Sequence, residues 1–337
     1  MIIITTACGG STPPAEPTAT GDTEPLALPD VPPLVAGGDR LRVLATTSLI
    51  GDVVDRVGGD AIDLTVLMQP GQDPHSYQPG AADLTAAADA GLIFVNGWNL
   101  EEALVDDLTT IGREAVIAPV SAGIAPLAVG ETAHATATVT GDAAEEGHDP
   151  SGSGFHGPVD PHVWQDVANV IRWVENVRQV LGAADPAHAA AYDANAAAYR
   201  AELEGLDAEL RQTLGSIPAG RRVLVTNHDN LGYFAAAYGF EVAGAVIPSV
   251  STLAEPTAGA LADLVKLMKA EGVCTLVVEA TAGDQLARTL EGELTGCDEV
   301  SLVRLYTDAL GPPGSGADSY PGLMRANAAA LVDGLGN

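Results

Sequence analysis

From Leu41 onward the chain alternates short, uninterrupted Val/Ile/Leu runs with helical segments, and it does so twice over. No other feature restricts the fold as much. Leu41–Thr47, Ile62–Met68, Leu92–Asn96 and Ala115–Pro119 read as strands, with helices near Leu49–Val57, Ala81–Ala90 and Glu101–Ile111. In a second series, strands near Arg222–Thr226, Glu241–Val246, Cys274–Glu279 and Val300–Tyr306 alternate with helices near Leu231–Tyr238, Pro256–Ala270, Gln285–Leu294 and Tyr320–Leu335. Strands that are apolar along their whole length, rather than at every second residue, belong to parallel sheets covered by helices on both faces. The expected class is α/β, with two lobes that each hold a central, mostly parallel sheet flanked by helices.

Between the two series lies a helical tract, Trp164–Leu181 and then Pro186–Leu214, with a break expected at Gly182. Asp185-Pro186 is a helix-start signal, and the Ala, Leu, Glu and Arg that follow favour a long helix. At 1.5 Å per residue the second piece is about 43 Å long, enough to run across both lobes. The division that follows is an N-terminal lobe over 40–184, a rigid linker helix over 185–215 and a C-terminal lobe over 216–337. A stiff helical connection argues against wide hinge opening.

Two stretches stand outside this pattern. Residues 9–39 hold seven prolines and five acids but no aromatic residue, the composition of a solvated, extended tether. Ahead of it, residues 1–8 end in Thr5-Thr6-Ala7-Cys8, which looks like the remnant of a secretory signal cut before a lipid-modified Cys8; an ordinary N-terminus is the alternative. An anchored protein needs such a tether, and the two readings support each other. The second stretch, 122–160, has six acids, no Lys or Arg, and His134, His148 and His156 among Gly, Ser and Thr, and reads as a flexible acidic insert of the first lobe. Its Gly152-Ser153-Gly154-Phe155-His156-Gly157 has the form of a dinucleotide fingerprint, but no strand enters it and no helix leaves it.

Charge limits the partners. With 15 Lys and Arg against 45 Asp and Glu, the formal charge of the 337-residue chain is -30, which excludes nucleic acid as a natural ligand. No apolar run is long enough to span a bilayer as a helix. The expected ligand is uncharged or cationic.

Open α/β sheets bind ligands beyond the carboxyl ends of their strands. His75, in Gln72-Asp73-Pro74-His75-Ser76-Tyr77, follows the second strand; His162, in Asp160-Pro161-His162-Val163-Trp164, precedes the linker tract. His228, in Thr226-Asn227-His228-Asp229, follows a Val-rich strand, and Asp284 follows Thr275–Val278. One His-Asp pair at a strand end is usually a helix cap. Three imidazoles and a carboxylate at equivalent places, two in each lobe, make a site for a borderline divalent ion such as Zn²⁺, with Mn²⁺ the alternative because an oxygen donor is present.

These four motifs, with Gly232-Tyr233-Phe234 behind the third and Glu279 five residues ahead of Asp284, resemble in order the ligand motifs of the metal-binding solute-binding proteins of zinc and manganese ABC importers. The resemblance extends from about Leu41 to the C-terminus. It implies one metal in the cleft between two lobes, with His75, His162, His228 and Asp284 as ligands, and delivery to the membrane permease of an ABC importer. Manganese members often carry Glu in place of the third His, so His228 points to Zn²⁺. Gln285 departs from the base that relatives often have after the acid, which leaves Glu279 as the fallback carboxylate. Zinc members often have a long His-rich loop before the second ligand; here the insert offers only His134, His148 and His156, either for metal capture or as part of a plain solvated loop.

A metal-bound His usually donates its other N–H to a carboxylate or carbonyl, which makes Asp73, Asp160 and Asp229 candidates to orient the imidazoles, although each can equally cap a turn. Trp164 and Tyr77 are expected in the cleft walls. In an exported chain Cys274 and Cys297 are expected to pair. The resulting expectation is a monomeric, extracytoplasmic carrier, anchored as a lipoprotein or else periplasmic or secreted. A zinc hydrolase is the rival from another class, but there is no His-Glu-x-x-His and no Gly-x-Ser-x-Gly. A surface role in cell adhesion is a third reading that the sequence does not test.

Overall fold

The computed structural model describes residues 24–34, 40–101, 104, 108, 110–111, 115–128, 159–280, 292–294, 297 and 300–336. In the first lobe β1 (Leu41–Ala45), β2 (Ile62–Val66), β3 (Leu92–Val95) and β4 (Val116–Pro119) form one sheet in the order β2-β1-β3-β4. Every pair is parallel, with Leu41 opposite Ile62, Val43 opposite Leu92 and Leu92 opposite Val116. Helices α1 (Ser48–Gly58) and α2 (Ala81–Asp89) alternate with the strands. The start of α1 is set by Thr47, whose hydroxyl accepts from the Ile50 N–H at 3.2 Å, and its end by Gly59 at φ 51°, a conformation that costs glycine little.

The second lobe holds β5 (Val223–His228), α5 (Gly232–Tyr238 once the two helices described next are counted as α3 and α4), β6 (Glu241–Ile247), α6 (Ala258–Glu271), β7 (Thr275–Glu279), β8 (Ser301–Leu305) and α7 (Tyr320–Leu335). β5 pairs with β6 and β7 with β8, both in parallel, and β7 lies alongside β5. The expected helix Gln285–Leu294 lies almost entirely outside the described residues, as does much of the one expected at Glu101–Ile111.

Between the lobes run α3 (Val167–Ala184) and α4 (Ala189–Leu214). The break between them falls at Asp185-Pro186 and not at Gly182, which α3 passes through. A residue before proline is forced out of the α region, and Asp185 stands at φ -136°, ψ 79°, where its carboxylate takes the Tyr192 hydroxyl at 3.0 Å and His188 Nδ1 at 2.6 Å. The 26 residues of α4 span about 39 Å. Tyr192, Tyr199, Leu203, Leu206, Leu210 and Leu214 recur along one buried face, and that face packs against α1 of the first lobe and α7 of the second. A single apolar cluster therefore runs from Leu41 and Leu49 through Trp173, Val177 and Leu206 to Leu224, Val303 and Leu331.

Residues 24–34 depart from the expectation of a free tether. Leu26, Leu28, Val31 and Leu34 pack against that cluster, the Gly123 N–H donates to Leu26 O at 2.8 Å, and the Leu34 N–H donates to Ala184 O at 2.8 Å. Apolar residues spaced through an extended Pro-rich segment give it one side to bury, which the composition as a whole concealed. Cys8 lies outside the described residues. So do His134, His148 and His156, although the base of their insert is closed by an antiparallel bridge between Ala128 and Val159. Cys274 and Cys297 are joined, with Sγ atoms 2.02 Å and Cα atoms 5.7 Å apart. Among the described residues, no helix is long and apolar enough to cross a membrane.

Candidate metal centre

The carboxyl ends of β2, β5 and β8 and the entry to α3 meet at one buried point. His75 is reached by the loop after β2, where the Asp73 carboxylate folds the turn by accepting from the His75 N–H at 2.9 Å and the Ser76 hydroxyl at 2.8 Å. The same carboxylate takes the Thr252 hydroxyl from the second lobe at 2.6 Å. Asp73 thus shapes the backbone and does not hold the ring. His75 Nδ1 is buried with no hydrogen-bond partner among the described residues.

His162 sits just ahead of the 3₁₀ turn Val163–Gln165. Asp160 accepts from its N–H at 2.9 Å and lies 2.7 Å from its Nδ1, while the Asn96 side-chain amide at the end of β3 donates to Pro161 O at 2.9 Å. His228 is the last residue of β5, with its Nδ1 2.8 Å from Glu279 Oε1 at the end of β7 and 3.4 Å from the Asn230 amide. The Nδ1 atoms of His162 and His228 thus each face a carboxylate, and their Nε2 atoms face inward. His162 Nε2 is consequently 3.2 Å from His75 Nε2 and 3.3 Å from His228 Nε2.

The carboxylate that the described residues bring to these nitrogens is Asp308. It lies in the loop after β8, with Oδ2 3.4 Å from His228 Nε2 and Oδ1 3.8 Å from His162 Nε2, and neither buried oxygen has a hydrogen-bond partner among the described residues. One donor atom from each of His75, His162, His228 and Asp308 falls within 4.8 Å of all the others. Asp284 lies outside the described residues. Glu279, the fallback, stands behind His228 and not in the converging set. Asp229 makes no ring contact and Asn230 is the polar neighbour of His228 instead; Trp164 packs edge-on to His162 at 5.3 Å, while Tyr77 turns away to donate to Asp83 at 2.7 Å. Asp308 was open to discovery from sequence by one signal: it follows a predicted strand, as His228 does, and precedes Gly311-Pro312-Pro313-Gly314.

Burial dominates the electrostatics. It holds the His75 imidazole down to about 3, with His162 and His228 adding to the effect, and it holds His162 well below its ordinary value. Burial also pulls down on His228, but the charges of Asp308 and Glu279 outweigh it and raise the ring to about 9. Asp160 is pushed up to about 7 by burial, and Asp308 well above the carboxylate range by burial and the charge of Glu279. Burial pushes Glu279 up, but its hydrogen bond to His228 and the charge of that ring, with Asp308 and Thr307 adding to them, together hold it below the ordinary value. Two nitrogen lone pairs facing each other in a dry site repel unless a cation lies between them. Atoms bound about 2.0–2.1 Å from a tetrahedral zinc are about 3.3–3.4 Å apart, close to the spacings found here. The donor set suits a divalent transition metal.

Residues 43–334 match the family model described as zinc-uptake complex component A, periplasmic. The chain is 32% identical over 303 residues to the manganese ABC transporter substrate-binding lipoprotein PsaA of Streptococcus mitis, covering 89% of this chain and 91% of that protein. It is 30% identical over 303 residues to the iron ABC transporter substrate-binding lipoprotein MtsA of Streptococcus pyogenes serotype M1, covering 89% and 90%. The solved structure of the periplasmic zinc-binding protein TroA from Treponema pallidum superposes with a TM-score of 0.72 at 29% identity, over 88% of this chain and 99% of that one. Such proteins bind and hand over a solute and are not enzymes. On this match, and with four metal-type donors at the strand ends, the chain belongs to the zinc-uptake complex component A family, the substrate-binding proteins of metal ABC transporters.

Proposed function

We propose that this protein captures Zn²⁺ between its lobes, with His75, His162, His228 and Asp308 as ligands, and passes it to the membrane permease of an ABC importer. The observation that carries the reading is the convergence of three imidazole Nε2 atoms and an unpaired carboxylate at one buried point. Three nitrogen donors favour zinc. Mn²⁺ is the second reading, supported by the manganese transport named for relatives such as that of Streptococcus mitis and by the two free oxygens of Asp308. The lipoprotein names of the relatives support acylation at Cys8 and an extracytoplasmic location. Capture by the three insert histidines, His134, His148 and His156, is a further part of the proposal, resting on sequence alone.

Calorimetry of chelator-stripped protein is expected to show one tight Zn²⁺ site that is lost in His75→Ala and in His228→Ala. Asp308→Ala is expected to weaken it, and Asp284→Ala to leave it unchanged. Undiminished binding in both histidine variants refutes the ligand set, and a loss confined to Asp284→Ala returns the fourth position to that residue. Competition between Zn²⁺ and Mn²⁺ on the same protein decides the cargo.

A further inference from the structure

Among the described residues Asp308 meets its neighbours His162 and His228 at 3.8 and 3.4 Å without a hydrogen bond of ordinary geometry, so the peptide from which it projects is the fixed point for its carboxylate. That peptide is held from the other side of the site. Thr307 O accepts two hydrogen bonds, from Trp164 Nε1 at 2.6 Å and from Gln165 Nε2 at 3.0 Å, both donors lying within three residues of His162. Because a peptide unit is planar, fixing the Thr307 carbonyl also fixes the N and Cα of Asp308. Trp164 and Gln165 are each 1% exposed, and the Trp164 carbonyl is itself pinned by the Tyr320 hydroxyl at 2.7 Å. The double tie thus joins the second imidazole to the carboxylate across 142 and 143 residues of sequence. It fixes the backbone from which Asp308 places one oxygen 3.8 Å from His162 Nε2 and the other 3.4 Å from His228 Nε2.

We infer that Trp164 and Gln165 are positioning residues that fix the reach of Asp308 and thereby the balance between zinc and manganese; the inference rests on the carrier reading above. The reasoning is one of donor chemistry. Zn²⁺ is satisfied by imidazoles, whereas Mn²⁺ depends on oxygen donors and on a higher coordination number. A carboxylate freed from its anchor therefore weakens manganese binding more than zinc binding. Trp164 and Gln165 are not among the four converging side chains, and removing either donor leaves the chemistry of those four unaltered.

The test is a pair of near-isosteric variants that lack the donors, Trp164→Phe and Gln165→Met, with Zn²⁺ and Mn²⁺ affinities measured by competition against a chromophoric chelator. Loss of a group outside the ligand set typically costs about 10–100-fold in affinity. The expected result is a loss of that order for Mn²⁺ with a smaller one for Zn²⁺, so that the zinc-to-manganese preference rises several-fold. The visible absorption of the Co²⁺ complex is expected to intensify as a carboxylate oxygen is lost. A merely structural role would lower the melting temperature of the metal-free protein and leave both readouts unmoved. Equal losses for the two metals, or no change in folded Gln165→Met, overturn the inference while wild-type metal binding stands. Failure of the wild type to bind either metal overturns the carrier reading and this inference with it. Should Trp164→Phe not fold, Gln165→Met decides alone.

Discussion

At the scale of single residues, the site works by assigning protons. On the proposed ligand set, Asp160 and Glu279 face the Nδ1 atoms of His162 and His228 and leave the Nε2 atoms for the metal, while the carboxylates of Glu279 and Asp308 beside His228 favour a proton on that ring in the metal-free protein. His228 is raised to about 9, so it is charged at neutral pH and must lose its proton before it can bind a metal. Metal affinity is therefore expected to rise with pH up to about 9 and to fall as pH drops below it. Calorimetry at pH 7 in buffers of different ionisation enthalpy is expected to find at least about one proton released per metal. In Glu279→Gln the raised value falls, so proton release at pH 7 is expected to decrease while affinity drops about 10–100-fold through loss of the ring's partner. Proton release unchanged by that substitution would count against the assignment of the proton to His228.

At the scale of elements, α4 differs from an ordinary connector in that its buried face is shared between lobes. Leu203 and Leu206 are fully buried on it, and the helix is further fastened to α1 by Arg56, which donates to Glu202 at 3.0 Å and lies 4.7 Å over the Tyr199 ring. Exposed ion pairs of this kind contribute little, and the apolar face carries most of the stability. Leu206→Ala is expected to cost about 2–5 kcal/mol, read from denaturant unfolding followed separately by near-ultraviolet and far-ultraviolet dichroism. Because the largest apolar cluster runs through both lobes, the two signals are expected to change together. Separate transitions would show that the lobes fold independently of the helix.

At the scale of the whole molecule, a charge of -30 raises the local concentration of cations, but on the proposed reading selection of the metal rests on the four buried side chains that converge. Among the described residues the second lobe has two pairs of strands where the first has a four-stranded sheet, and it carries the Cys274–Cys297 bridge across 23 residues, between the start of β7 and the approach to β8. Closing a loop of that length contributes about 3 kcal/mol on chain-entropy reasoning. Reduction, or a Cys274→Ala/Cys297→Ala double substitution, is expected to lower the melting temperature, and because β7 ends at Glu279 it is also expected to weaken metal binding. Unchanged affinity in the reduced, folded protein would separate the bridge from the site.

Sequence by itself determined the parallel α/β character, the long helix between the lobes and the three histidines, because each rests on local physics: continuous apolar strands, a proline that ends one helix and starts another, and residue types whose chemistry is distinctive wherever they fall. It also anticipated the cysteine pair from redox context. Tertiary structure alone brought Asp308 beside the three rings and set the course of residues 24–34. Asp308 is one acid among 45, with no local mark beyond following a strand, and it enters the site because Trp164 and Gln165 hold the carbonyl before it. Leu26 and Leu34 are likewise unremarkable in a Pro-rich stretch until the first lobe offers them a surface. Local sequence encodes the elements and their end groups. Which of many similar side chains meet depends on contacts between segments far apart in the chain, and those exist only once the lobes have packed around α4.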